Sequence, residues 1–413
     1  MRYMIIGNSA AAVGAVEGIR RTNVRTDSGR EILLISDEPR HTYSRPLISY
    51  WLQGKVTEEK MRYRGLDFYD KNGCILLPPK KAVRLDADRK KVFLAGGREL
   101  DYDRLLIATG SSALVPPIPG LETVEHAFTF MSMDDAVALR KILTAETRAL
   151  IVGAGLIGLK CAEGIRESVR SVQVVDLAPQ ILSSVLDETS AKMMQDHLEK
   201  KGILFDLSNS VDRFDQNRAF LRDKTQIEFD ALVLAAGVKP SADLVKNAGG
   251  RVGRGIVVND KMETSLPGVY AAGDCTESLD VSSGEIKVMA LLPNAYMQGE
   301  CAGVNMAGGT ASFTQAVPMN AIGFFGMHAL TAGVYTGETY VDQDQEHYKK
   351  LFYGGNHLNG VILINREEKA GVYTSLIRER TPLDTLDFDL LCRQPGLAAF
   401  AQTGRDAILG GVL

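Results

Sequence analysis

The chain has 413 residues, of which 45% are hydrophobic and 24% are charged, a balance typical of a globular protein that excludes a fibrous or disordered chain. This length predicts about two to three domains, enough to bury large cofactors. The formal net charge of -4 argues against a nucleic-acid-binding protein, which needs a clustered basic face.

The sequence contains no apolar run of the roughly 18 residues that a membrane-spanning helix needs. Residues 1–6 lead straight into a glycine turn, which leaves no room for a secretion signal. We therefore expect a soluble, cytoplasmic protein without a membrane span. The scattered cysteines form neither a C-x-x-C pair nor a metal-ligand cluster, so we expect no metal site and no catalytic thiol. They are Cys74, Cys161, Cys275, Cys301 and Cys392.

The first predicted elements are a strand at residues 3–6, a turn of small residues and a helix to Arg20. Small residues let the backbone approach a diphosphate, and a helix N-terminus presents N–H groups and a positive dipole end. Ser9 and Ala12 stand where the dinucleotide fingerprint prefers glycine. The candidate cradle residues of this turn are Gly7, Ser9, Ala10 and Ala11.

The next predicted strand, residues 31–35, follows a polar insertion at residues 22–30. This strand ends at Ser36, Asp37 and Glu38. Because a carboxylate at this place in a nucleotide-binding unit accepts hydrogen bonds from a ribose, Asp37 or Glu38 is a candidate ribose ligand.

A second and clearer glycine turn follows the strand at residues 149–152 and opens a helix. It has the full G-x-G-x-x-G pattern, with Gly153, Gly155, Leu156, Ile157 and Gly158 as candidate ligands. The next strand, residues 172–175, ends at Asp176, at the spacing expected of a ribose-binding carboxylate. Because no arginine directly follows Asp176, the pattern favours NAD over NADP.

Each glycine turn is followed by a similar closing segment, residues 102–110 and residues 229–237. Both are apolar runs typical of buried parallel strands. They end in small residues that can lie against a ligand, namely Ala108, Thr109 and Gly110 in the first, and Ala236 and Gly237 in the second. The sequence therefore predicts a duplicated dinucleotide-binding architecture.

A third apolar strand ends at Gly273 and Asp274. Asp274 can be interpreted as a helix N-cap or turn residue, or as a cofactor ligand. Its position after both nucleotide units favours the ligand.

The ordered series of these motifs resembles the two-dinucleotide-domain flavoproteins of the pyridine nucleotide-disulfide oxidoreductase superfamily, over essentially the whole chain. Residues 43–49 resemble the arginine-proline turn of rubredoxin and ferredoxin reductases and of the flavoprotein part of assimilatory nitrite reductase. Residues 292–299 are similar to the helix whose N-terminus points at the flavin in those proteins.

The resemblance implies an α/β fold with two Rossmann-like, three-layer nucleotide-binding domains, for FAD and NAD, and a smaller C-terminal α+β domain. We expect the FAD domain at residues 1–114 and 241–311, the NAD domain at 115–240, and a C-terminal interface or acceptor domain at 312–413. In the last, alternating residues at 358–364 and 370–377 predict antiparallel strands. This domain is a candidate homodimer interface, and the tail after Leu390 a candidate partner-docking segment.

The resemblance also implies roles for individual residues near FAD. The first glycine turn would cradle the diphosphate, Asp274 would take a ribityl hydroxyl, and the helix beginning near Pro293 would direct its dipole at the flavin ring. Further candidates toward FAD are Arg45, Pro46, Ala82, Thr109, Gly110 and Gln298, and candidates from the C-terminal region are Phe324, Phe325 and His328.

Disulfide-reducing members of the superfamily carry a cysteine after the first ribose acid, but residues 38–60 contain none. The expected function is therefore FAD-dependent NADH oxidoreductase activity, with hydride passing from NADH to the flavin and electrons then passing to an acceptor. A redox-carrier protein such as rubredoxin or ferredoxin is the first candidate acceptor. Alternatives are an electron-transfer subunit with partner subunits in a larger complex, and a nucleotide sensor that binds without transferring hydride.

Two residues depart from the reductase pattern, in which a lysine and a glutamate pair beside the nicotinamide. This chain has Tyr50 and Lys160 at those places. Both can be interpreted as peripheral residues. Our hypothesis is that Lys160 lies at the contact of nicotinamide and flavin, where it stabilises the anionic reduced flavin, with Tyr50 as its neighbour.

Overall fold

A computed structural model describes residues 1–22, 30–366 and 369–400 of the chain. Most of the predicted polar insertion and the end of the C-terminal tail lie outside the described residues. Contacts between Cα atoms divide the chain into two compact units. One contains Met1–Leu177, Gly202–Ser278 and Ile286–Thr314, and the other contains Ala178–Lys201, Leu279–Glu285 and Gln315–Leu413. None of the described helices has the length and apolar character needed to span a membrane.

The first unit contains two parallel five-stranded sheets that repeat one topology. The first sheet consists of β1 (Arg2–Ile6), β2 (Glu31–Ile35), β3 (Cys74–Leu76), β7 (Arg104–Ile107) and β19 (Val269–Ala271), in the order β19-β7-β1-β2-β3. The second consists of β9 (Ala127–Phe128), β10 (Arg148–Val152), β11 (Ser171–Val175), β12 (Ile203–Asp206) and β16 (Ala231–Leu234), in the order β12-β11-β10-β16-β9. The order β3-β2-β1-β7 therefore matches β12-β11-β10-β16, which confirms the predicted duplication.

The duplication extends to a small antiparallel sheet in each copy. In the chain it is inserted between β3 and β7 in the first copy and between β12 and β16 in the second. These sheets are β4 (Ala82–Asp86), β5 (Lys91–Leu94) and β6 (Glu99–Asp101), and β13 (Val211–Asp215), β14 (Arg218–Leu221) and β15 (Gln226–Glu228). The two copies are joined by an antiparallel ladder of β8 (Ser111–Ala113) and β17 (Val238–Pro240). A further small sheet contains β18 (Ile256–Val257), β20 (Thr276–Leu279) and β21 (Ile286–Val288).

Helices complete the layers of the first unit. They are α1 (Ala10–Thr22), α2 (Ile48–Leu52), α3 (Phe68–Lys71), α4 (Met133–Ile142), α5 (Leu156–Ile165), α7 (Asp243–Asn247) and α8 (Leu292–Met306). Because successive side chains of a strand point to opposite faces, Tyr3 and Ile5 join the core formed with α1 and α8. Met4 and Ile6 join the core on the other face, with β4–β6. This confirms the predicted three-layer arrangement.

The second unit is built around an antiparallel sheet. Its strands are β22 (Met319–Phe324), β23 (Met327–Gly333), β24 (Glu338–Gln343), β25 (Tyr348–Gly354) and β26 (His357–Ile364), in the order β22-β23-β26-β25-β24. Its helices are α6 (Glu188–Lys200), α9 (Ala370–Glu379) and α10 (Phe388–Arg393). Short 3-10 helices in the chain are Arg45–Leu47, Glu58–Met61, Leu121–Thr123, Arg166–Ser168, Leu383–Thr385 and Leu397–Ala399.

The strand predicted at residues 370–377 is wrong, because these residues form α9. The buried positions are Ala370, Tyr373, Leu376 and Ile377. Their spacing of three to four residues is the period of a helix rather than the period of two of a strand. The strand predicted at residues 358–364 is confirmed as β26.

Candidate functional site

The two glycine turns have nearly the same geometry. Gly7 has a φ of +128° and Gly153 a φ of +116°, a region that L side chains rarely adopt. A Cβ atom added at Gly7 would lie 2.1 Å from the carbonyl oxygen of Ala108, and one at Gly153 would lie 2.3 Å from that of Ala235. Each closing strand therefore packs directly on its glycine turn, and no residue larger than glycine fits at position 7 or 153.

The second turn is shaped for a dinucleotide. A Cβ atom at Gly158 would lie 2.0 Å from the carbonyl oxygen of Gly153, so the helix starts in tight contact with the turn. Gly155 is the N-cap of α5, which begins at Leu156 and Ile157, and no side chain in the described part of the chain caps this end. Such a helix end presents its amide groups to a phosphate.

The ribose candidate of the second turn lies beside it. The carboxylate of Asp176 accepts a hydrogen bond of 2.5 Å from the backbone N–H of Ala154. Asp176 is the first residue after β11, so its carboxylate sits at the carboxyl edge of the sheet, where dinucleotides bind.

The two ribose candidates of the first turn have different surroundings. Glu38 accepts hydrogen bonds from Arg45 and, at 2.7 Å, from the hydroxyl of Tyr43. The backbone N–H of Glu38 donates to the hydroxyl of Ser36 at 3.1 Å. Asp37, by contrast, is exposed at the end of β2. The geometry therefore makes Asp37 the more accessible carboxylate for a ribose.

Arg45 lies close enough to Asp274, the predicted ribityl ligand, to act on it electrostatically. Its guanidinium also donates to the carbonyl oxygen of Met131 at 2.8 Å. Burial raises the pKa of Asp274, while the positive charge of Arg45 acts in the opposite direction. A half-buried carboxylate near the positive charge of an arginine is a strong hydrogen-bond acceptor for a ligand hydroxyl. Pro46 is the second residue of the 3-10 helix that begins at Arg45 and leads into α2.

Gln298 holds the turn that carries Asp274. Its side-chain oxygen accepts a hydrogen bond of 2.7 Å from the N–H of Gly273, and its nitrogen donates to Ser278 at 2.9 Å. Gln298 therefore anchors the backbone, a role that the sequence did not reveal.

The predicted flavin-facing helix begins at Leu292, with Pro293 in its first turn and no side-chain cap within the described residues.

A polar cluster next to the first turn was missed in the sequence. The hydroxyl of Tyr69 donates to Asn8, which lies in the turn, at 2.7 Å, and the ring of His41 packs on Tyr69 with centroids 4.8 Å apart. In the described chain, Nε2 of His41 and Oγ1 of Thr42 are buried without a hydrogen-bond partner. Buried polar atoms of this kind fit a polar cofactor such as FAD, which supplies partners.

Thr109 and Gly110 lie where the two copies connect. The hydroxyl of Thr109 donates to the carbonyl oxygen of Ser241 at 2.6 Å, and the N–H of Ser241 donates to Gly110 at 2.9 Å. Ala236 and Gly237 follow β16 at the equivalent place in the second copy. Ala82 begins β4, two residues after a backbone hydrogen bond of 2.8 Å from Lys80 to Ser36.

Tyr50 and Lys160 are neighbours. The Lys160 ammonium lies 4.6 Å from the ring centroid of Tyr50, a cation–π contact between α5 and α2. Lys160 also forms an ion pair with the buried Glu163, one turn later in α5. The sequence analysis missed Glu163, although its spacing of three residues from Lys160 on a predicted helix is typical of an ion pair.

All five cysteines are free and buried. Burial raises the pKa of Cys275, Cys301 and Cys392 to about 11 and that of Cys74 to about 12. Burial also raises the pKa of Cys161. Because the thiolate is the reactive form, these residues behave as small apolar side chains.

Comparison with known proteins agrees with this geometry. Residues 1–299 match the sequence profile of the family described as pyridine nucleotide-disulphide oxidoreductase. The chain is 32% identical to the NADH-dependent phenylglyoxylate dehydrogenase subunit epsilon of Aromatoleum evansii over 93% of each chain. It is 31% identical to the assimilatory nitrate reductase electron transfer subunit of Bacillus subtilis, over 92% of this chain and about half (49%) of that one.

A solved structure shares the fold. It is the covalent putidaredoxin reductase–putidaredoxin complex, with a TM-score of 0.86 and 24% identity, covering 95% of this chain and 96% of that one. One conclusion follows from the family match, the two glycine turns closed by neighbouring strands, and the N-termini of α5 and α8, which no described side chain caps. The chain belongs to the pyridine nucleotide-disulphide oxidoreductase family and is a flavoprotein oxidoreductase with FAD and NADH as its cofactors.

Proposed function

We propose that this chain takes a hydride from NADH onto FAD and passes the electrons to a redox centre carried by another protein. Bound FAD supplies the chemistry, because it accepts two electrons as hydride and can release them one at a time. The chain supplies the two diphosphate turns, the carboxylates that hold each ribose, and a buried, charged surrounding for the flavin.

The observation that carries this proposal is the state of the cysteines. All five are free and buried, and burial raises the pKa of each thiol. The segment after the first ribose acids instead contributes Arg45, which is tied to Glu38. A disulfide relay needs a reactive thiolate beside the flavin, so the electrons leave directly from the cofactor.

Two kinds of acceptor fit this chemistry. The first is a small carrier protein such as rubredoxin or ferredoxin, which binds and dissociates in each cycle. The second is a redox centre in partner subunits of a permanent complex. The match to a subunit epsilon over 93% of each chain favours the second, because the similarity extends through the C-terminal region rather than the cofactor domains alone.

Finer points of the proposal concern the donor, the domains and the location. Asp176, with Leu177 rather than arginine after it, supports NADH over NADPH. The FAD, NAD and C-terminal domain boundaries, and a homodimer through residues 312–413, remain proposals. We place the protein in the cytoplasm, since five free thiols fit a reducing compartment.

Anaerobic mixing with NADH and, separately, NADPH tests the donor, with flavin absorbance as the readout. We expect faster bleaching by NADH; faster bleaching by NADPH would overturn the role of Asp176, and none by either would favour a nucleotide sensor. Rubredoxin and ferredoxin are then added to the reduced protein. Rapid reoxidation supports the carrier, whereas reoxidation only in native high-mass fractions of cell extract supports the subunit.

A further inference from the structure

Glu163 is a buried carboxylate in the first unit that the proposed reaction does not yet use. Its side chain is 4% exposed and forms an ion pair with Lys160, whose side chain is 19% exposed. A buried carboxylate is costly unless a positive charge and hydrogen bonds compensate it. The pair therefore acts as a unit, in which each charge makes the other tolerable.

The pair lies where the two nucleotide-binding copies meet. Lys160 is the second residue after Gly158, at the end of the second glycine turn. Its ammonium contacts the ring of Tyr50, which lies on the helix that continues from the 3-10 helix at Arg45. The same seam is held by a hydrogen bond of 3.4 Å from the side chain of Gln53 to the carbonyl oxygen of Glu163.

The packing at this seam fixes the position of Glu163. A Cβ atom added at Gly164 would lie 3.2 Å from the carbonyl oxygen of Ser49, so α2 and α5 are in close contact. Because Glu163 and Lys160 are one turn apart on α5, the carboxylate limits the orientations open to the lysine. The ring of Tyr50 is the second group in contact with the ammonium.

We propose that Glu163 is a positioning residue that holds Lys160 against Tyr50 and cancels most of its charge, so that the balance of the two charges keeps the reduction potential of the flavin from shifting in either direction. This inference rests on the proposed function, in which FAD lies next to Arg45 and NADH on the second turn. In a poorly solvated site, an uncompensated charge acts over several ångströms. A lone ammonium favours reduced, anionic flavin, whereas a lone carboxylate opposes it.

The test measures the flavin midpoint potential of the FAD-loaded protein by reduction in the presence of indicator dyes. Glu163→Gln is expected to raise the potential and Lys160→Met to lower it, whereas the double variant is expected to return close to the wild-type value. Lys160→Arg, which keeps the charge, is expected to stay near wild type. Should Glu163→Gln fail to fold, Lys160→Met and Lys160→Arg still test the proposal.

Asp230→Asn is the matched control, because Asp230 pairs with Arg148 at 3.0 Å at the opposite end of β10 from the glycine turn. It is expected to leave the potential unchanged. Equal shifts in all variants, shifts of the same sign in the two single variants, or no shift at all would overturn the inference. Dye titration with dithionite needs no NADH, so failure of NADH to bleach the flavin would contradict only the proposed function.

Discussion

Asp274 shows how a residue proposed to bind a cofactor can reduce the stability of the protein that carries it. Burial raises its pKa, and the positive charge of Arg45 opposes this effect without cancelling it. A carboxyl whose pKa is higher in the folded than in the unfolded state stabilises the fold at low pH, and this contribution is lost as pH rises through the folded pKa. At neutral pH the charge of this half-buried carboxylate is therefore unfavourable in the FAD-free protein.

We expect Asp274→Asn to raise the stability of the FAD-free protein at pH 7, because the unfavourable charge is removed, while FAD retention falls. The gain is expected to vanish below about pH 4, where the wild-type carboxyl is protonated. Thermal unfolding against pH checks this. Asp230→Asn is the control of opposite sign, because Arg148 lowers the pKa of Asp230. If the FAD-free wild-type protein were more stable than Asp274→Asn at pH 7, this would contradict the prediction.

Single residues were predicted well where a motif fixes the backbone and poorly where a role depends on distant partners. Gly7 and Gly153 were identifiable because their turns demand positive φ. The hydrogen bond from Arg45 to Glu38 was not identifiable from the sequence, since Asp37 and Glu38 at the end of β2 fit the ribose pattern equally. Glu163 was missed because its burial depends on α2, which lies more than a hundred residues earlier in the chain.

At the scale of elements, α1 and α8 pack closely through paired small residues. A Cβ atom at Gly299 would lie 2.0 Å from the carbonyl oxygen of Ala11, and one at Gly303 would lie 2.2 Å from that of Ala15. Gly14 and Gly18 make the reciprocal contacts from α1. Because α1 starts at the first glycine turn, this contact fixes the helix end that is proposed to bind the FAD diphosphate.

We expect Gly299→Ala to destabilise the protein by about 1–3 kcal/mol, because the helices must separate around a backbone atom. FAD retention is expected to fall with it. Gly371→Ala is the matched control, since Gly371 lies in α9 with open space around its Cβ position; it is expected to be neutral or stabilising by up to about 1 kcal/mol. Chemical denaturation and flavin content measure both effects. Equal stability of the two variants would show that the helix contact is not limiting.

Element types followed from the sequence wherever the apolar period was unambiguous. Strand β2 has the predicted bounds, and the predicted strands at residues 3–6 and 172–175 differ from β1 and β11 by one residue. The strand prediction for residues 370–377 failed because alternation of small and apolar side chains resembles the pattern of a strand over a short stretch. The buried face of α9 is defined by packing in the second unit, which a single sequence does not show.

At the scale of the whole molecule, the chain contains one structural unit twice, and each copy is proposed to bind a different cofactor. The order of four core strands, the inserted three-stranded sheet and the contact of glycine turn and closing strand recur in both copies. Sequence motifs were enough to predict this duplication, because a diphosphate site imposes the same backbone on both copies. They did not predict the acceptor, which binds surface side chains without a fixed spacing.

The duplication predicts that the two cofactor sites can be disabled separately. Gly153→Val places a side chain against Ala235. It is expected to leave the protein yellow but resistant to bleaching by NADH, since FAD is proposed to bind to the other copy. Gly7→Val, which meets Ala108 in the same way, is expected to lose FAD while a dinucleotide still protects the second copy from heat. Flavin content, NADH bleaching and thermal shift with NAD separate the two outcomes, and each variant is the control for the other. Loss of FAD in both variants would mean that the copies fold as one unit and that the cofactor sites are not independent.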